Sequence, residues 1–175
     1  MPTTMKLIGK QTLGSAAASV TFSSIPSTYT DLLITYSARS IRSGQRADNI
    51  NIRFNGSSAT NYSYRYLEGN GSTVGSFNGS AQAQLIVGYS TAATATASTF
   101  ASGEIYIPNY AGSTAKSVSS TSVTEHNGGT SGDAFILAFA GLWSLTDAIT
   151  SVEVISQVAN FAADSSFYLY AITKS

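Results

Sequence analysis

Side-chain alternation with a period of two constrains this chain more than any other feature. Ile50, Ile52 and Phe54 are separated by Asn51 and Arg53, and Val152 and Val154 by Glu153. Tyr62, Tyr64 and Tyr66 are separated by Ser63 and Arg65, while Ile105 and Ile107 flank Tyr106 behind Glu104. Phe167, Leu169 and Ala171 alternate with Tyr168, Tyr170 and Ile172. Successive side chains of an extended chain point to opposite faces, so each segment reads as a strand with one or both faces covered. Further strands are expected at 6–13, 18–22, 32–39, 84–89, 99–108, 116–125 and 134–143. The last is apolar on both faces and is expected at the centre of a sheet; a short buried helix capped by Asp133 is the competing reading.

The punctuation between these segments agrees. Asn55-Gly56, Asn70-Gly71, Asn78-Gly79 and Asn127-Gly128 supply residues that tolerate the positive φ of tight turns. Residues 146–149 fit a single helical turn before the strand at Val152. Segments 69–81 and 90–98 hold little but Gly, Ser, Thr, Ala and Asn, and read as long loops, mobile or ordered by a neighbouring subunit. About ten strands in one domain must close into a barrel or pack as two sheets. The expected architecture is all-β: a jelly-roll-like sandwich of about ten antiparallel strands, one domain over 1–175, with residues 1–10 as an extended arm.

Composition excludes several functions. Nine basic and nine acidic residues give a net charge of zero, so the chain has no general electrostatic attraction for nucleic acid or an anionic membrane. Charged residues are only 10% of the chain, and near-zero net charge favours association. The absence of cysteine excludes disulfides, thiolate nucleophiles and cysteine-bound metals. The first residues lack the apolar stretch of a signal peptide. The longest apolar run, 134–143, falls short of the roughly 20 residues of a membrane helix. A soluble protein made in the cytoplasm without Sec export is expected.

Chemistry-bearing residues are sparse. The one histidine, His126, would have to serve any Ser–His–Asp triad, and no Gly-x-Ser-x-Gly elbow accompanies it. It reads as an exposed loop residue. Glu104, Glu125 and Glu153 are the candidates for paired glycosidase carboxylates, and read as solvent-facing strand positions. The carboxylates form no calcium-loop run, and Gly69-Asn70-Gly71 lacks the Lys-Ser/Thr of a phosphate loop. The Asn-x-Ser sequons at Asn55, Asn61, Asn70 and Asn78 read as turn chemistry. No enzyme activity, cofactor or metal is expected.

Two groups remain as candidate interface residues. Arg39, Arg42, Arg46, Arg53 and Arg65 are five of the nine basic residues. Their planar donor forks suit carboxylates and carbonyls across an interface, and equally suit an ordinary charged surface. Tyr62, Tyr64 and Tyr66 line one strand face, either as a binding stripe for a partner or sugar, or as a face covered within the subunit.

Several segments resemble small structural proteins of tailed bacteriophages, of the marine-phage and cyanophage type. They are SIPSTYTDLL (24–33), IRFNG (52–56), YRYLEGNGS (64–72), EIYIPNYAGST (104–114) and LWSLTDAITS (142–151). The resemblance covers most of the chain and implies a virion component, oligomeric and commonly trimeric. It carries no catalytic motif. The first reading is a capsid decoration, or cement, protein: a homotrimer bound to the major capsid protein. The alternative is a tail-fibre or receptor-binding tip that recognises host surface glycans. A carbohydrate-active enzyme on a sandwich fold is the third reading, and the shortage of acid–base residues counts against it.

Overall fold

A computed structural model describes residues 4–128 and 134–173. Twelve strands follow in chain order: β1 (Met5–Thr12), β2 (Ser19–Phe22), β3 (Asp31–Ala38), β4 (Ala47–Phe54), β5 (Tyr62–Gly69), β6 (Val74–Gln82), β7 (Leu85–Thr91), β8 (Ala101–Ile107), β9 (Lys116–Thr124), β10 (Phe135–Trp143), β11 (Val152–Ser156) and β12 (Ser166–Ile172). They form a β-sandwich of two antiparallel sheets, ordered β1-β12-β3-β8-β9-β10-β5-β6 and β2-β11-β4-β7. No helix occurs among the described residues.

The order has a simple origin. With β5–β6 and β9–β10 set aside, the remaining strands pair β1 with β12, β2 with β11, β3 with β8 and β4 with β7. That nesting is one long antiparallel ribbon wrapped into two facing sheets, the jelly roll. The two additional hairpins append β9-β10-β5-β6 beyond β8, so the larger sheet outreaches the smaller one.

The alternating residues make the core. Leu32 and Ile34 of β3, Ile50, Ile52 and Phe54 of β4, Ile105 and Ile107 of β8, and Phe167 of β12 are all fully buried. Trp143 sits edge-on to Phe54 with ring centroids 5.4 Å apart, and stacks with Tyr62 at 6.4 Å. Between the sheets, the Tyr36 ring occupies space left by Gly88 and Gly103; a Cβ at either would lie within 2.3 Å of its hydroxyl. The free edge of β7 is closed by serines of the opposite sheet. Ser120 Oγ donates to Val87 O at 2.7 Å, and Tyr89 N donates to Ser122 Oγ at 3.1 Å.

Several expectations are corrected. Residues 74–82, read within a loop, are strand β6, held by the ladder that β5 offers. Asn78-Gly79 is therefore strand, whereas Asn55-Gly56 is a turn with φ of 54° and 67°. The expected arm is, from Met5 onward, the edge strand β1, hydrogen-bonded to β12; residues 1–3 lie outside the described residues. Residues 146–149 form no helical turn. Their place is fixed instead by Ile149 N donating to Tyr110 O. Segment 135–143 is a strand within the larger sheet, but only one of its faces is covered. Asp133, the cap of the competing helix, lies outside the described residues.

Candidate functional site

The part of the larger sheet that outreaches the jelly roll carries an apolar stripe on its outer face. Strand register places Val123, Ile136, Gly69 and Val74 in one row across β9, β10, β5 and β6. The next row on that face is Thr121, Ala138, Leu67 and Ser76. Val74 is 82% exposed, Ile136 68%, Leu67 56% and Val123 44%. Gly69 lowers the middle of the stripe, and a shallow depression of about 350 Å³ runs between these side chains. The cause is local: β10 is apolar at successive positions, and the core can accept only Leu137, Phe139 and Trp143. Ile41, Val158, Met5 and Leu7 are exposed elsewhere, but these four side chains lie together on one face, and contiguous apolar patches of this kind mark interaction surfaces.

A second feature lies where the sheets part. A cleft of about 450 Å³ is lined by Arg42, Gln45, Arg46, Asn49, Glu68, Tyr89 and Phe135 among others. Glu68 accepts the Tyr89 hydroxyl at 2.7 Å, and Phe135 meets the Tyr89 ring edge-on at 5.5 Å. Burial first, then the neighbouring Tyr66 and Glu68, push the Tyr89 hydroxyl well above the usual phenol range. Arg42 is tied to the buried carboxylate of Asp48 at 3.4 Å. That carboxylate also accepts the backbone N–H groups of Asn49 and Ala159. The two arginines and two carboxylates balance, leaving planar polar groups beside aromatic rings.

The predicted interface residues do not form one surface; Arg42 and Arg46 share the cleft, and Tyr64 and Tyr66 share a strand face. Arg39 directs its guanidinium at its own chain, donating to the carbonyls of Ala93, Ala95, Thr96 and Thr99. It thereby pins the segment read as a long bland loop, and burial lowers its pKa. Arg42 and Arg46 line the cleft. Arg53 lies on the outer face of the smaller sheet, 3.6 Å from Glu153. Arg65 is exposed on the outer face of β5, two residues from Leu67.

The tyrosine stripe divides. Tyr62 is 1% exposed; it accepts the Phe54 N–H at 2.9 Å and belongs to the core. Tyr64 and Tyr66 are half-buried on the inner face of the outreaching sheet. Tyr66 lies between Phe77 and Phe139, with centroids 4.8 and 4.7 Å away.

One reading of the chemistry needs restating. His126, expected to be exposed, is 3% exposed, and its carbonyl accepts the Thr96 hydroxyl at 2.7 Å. Glu104 lies on the outer face of the larger sheet and Glu153 on that of the smaller, so the two point away from each other. Glu125, at the end of β9, accepts the Asn127 N–H.

The apolar stripe was the feature missed in sequence. Its signal was the run Ile136, Ala138, Ala140 and Leu142 interleaved with the buried set. No protein-family model and no curated protein matches this sequence.

Proposed function

We propose that this protein is a structural component of a tailed-phage virion, a self-associating decoration protein that binds the major capsid protein and stabilises the shell. The apolar stripe carries this reading. Val123, Ile136, Leu67 and Val74 form one exposed apolar surface, the kind that contacts a partner broadly. The resemblance of five segments to phage structural proteins supplies the particle. A neutral, charge-poor surface suits many repeated contacts.

The test uses particles that lack the protein. Wild-type protein added back should co-sediment with them and raise their heat resistance, whereas Ile136→Lys with Leu67→Lys should do neither. Equal binding by the double variant would remove the stripe from the account.

The cleft favours a second reading, a tip protein that holds host glycans. Aromatic rings beside paired charges and amides suit hydrogen bonding and stacking with sugars. Retention of host-surface saccharides on a glycan array, lost in Phe135→Ala, would favour it over decoration.

A further inference from the structure

Each sheet of a sandwich has two edges, and an unguarded edge invites another strand. Three of the four edges here are guarded. β1 carries Lys6 and Lys10 and is broken by a bulge between Leu7 and Gly9. β2 is only four residues long. β7 is closed by the hydroxyls of Ser120 and Ser122.

β6 is not short, and its bulge lies near one end, beyond Gly79. Its nine residues, VGSFNGSAQ, contain no charge and no proline, and most are exposed. Among the described residues its one strand partner is β5. Its ladder with β5 is regular from Val74 to Gly79, and the irregularity comes only toward Gln82. A row of backbone donors and acceptors therefore faces outward along six consecutive residues.

We infer that β6 is a self-association edge, pairing antiparallel with β6 of a second copy about a two-fold axis. The occupant follows from the other edges. A ring of three would need β6 to meet a different edge of its neighbour. The lysines of β1, the shortness of β2 and the closed β7 all oppose that. Two uncharged β6 strands meet without repulsion.

An axis perpendicular to the sheet also keeps both outer faces on one side. The apolar stripes of the two copies then lie on one surface, on either side of an axis near Ser76. The pairing thereby enlarges the face assigned above to the shell, although it does not depend on that assignment.

The experiment is a mass measurement on the purified full chain by light scattering. Wild type should run at twice the 18.2 kDa chain mass. Ser76 is exposed on β6, so Ser76→Lys and Ser76→Glu each bring like charges close across the axis. Each should run at the single-chain mass, and an equimolar mixture should recover the doubled mass. That recovery excludes misfolding as the cause of dissociation. A wild-type single-chain mass, a three-chain mass, association that survives both substitutions, or failure of the mixture to recover would each overturn the inference.

Discussion

Replacing Gly88 with alanine should destabilise the protein through one side chain, Tyr36 on the facing sheet. The new Cβ would stand 2.1 Å from the Tyr36 hydroxyl oxygen, whereas real Cβ contacts essentially never fall below 3.0 Å. Within its own sheet Tyr36 is also hemmed in by its cross-strand partner Gly103 of β8, where a Cβ would stand 2.3 Å from its hydroxyl. Forcing such an overlap into a packed core costs about 2–3 kcal/mol, or roughly 4–12 °C in Tm for a chain of this size. Tyr36→Phe removes the clashing oxygen, and the nearest remaining neighbours of the new Cβ are Ser122 Cβ and Oγ at 3.1 Å. In that background Gly88→Ala should cost less than about 1 kcal/mol, a coupling of about 1.5–2 kcal/mol. Gly103→Ala is the control: its Cβ also meets Tyr36 Cζ at 2.4 Å and the Thr121 carbonyl at 2.7 Å, so Tyr36→Phe should not rescue it. Urea denaturation of the six proteins measures all of this. An equal cost of Gly88→Ala in both backgrounds would show that β7 does not face β3 as described, and the sheet packing would be wrong.

Three further outcomes follow from the same geometry. Ile136→Lys and Leu67→Lys sit on an exposed face, so each should change unfolding free energy by no more than about 0.5 kcal/mol while abolishing particle binding. Arg39→Ala should cost about 1–2 kcal/mol and speed amide exchange locally over residues 93–99, whose carbonyls the guanidinium holds. At alkaline pH, the unfolded chain releases the Tyr36 proton at about pH 10, while burial keeps that proton on the folded chain to higher pH. The folded state then binds more protons than the unfolded one, so stability is full below about pH 10 and falls above it, by up to about 1.4 kcal/mol per pH unit for this residue. The decline measured by thermal melts should be shallower in Tyr36→Phe.

The strands that alternate cleanly were legible because burial on one face selects every second residue. Ile50, Ile52 and Phe54 point inward as their spacing requires, and so do Phe167, Leu169 and Ala171. β6 was not legible. Gly75, Ser76, Asn78 and Gly79 have weak strand preference, and the segment is extended because β5 supplies a ladder. β10 misled in a different way. Apolar residues on both faces usually mean a strand covered on both, yet Ile136 is left open.

The cleft could not be found by spacing, since Arg46, Glu68, Tyr89 and Phe135 come from four separate parts of the chain. Arg39 shows the limit of reasoning by residue type. A fork suited to carbonyls was evident, but only the fold reveals that the carbonyls belong to its own loop. Tyr62 failed as a surface candidate for a similar reason, because Trp143 and Phe54 close over it.

The proposed shell-binding surface is the outer face of β9, β10, β5 and β6. The most direct measurement is an electron cryo-microscopy map of the intact particle with the chain placed in density. Copies should be distributed over the shell, with Ile136, Leu67 and Val74 buried against the major capsid protein or a second copy of this chain. Density confined to the tail tip, with that stripe open to solvent, would contradict it.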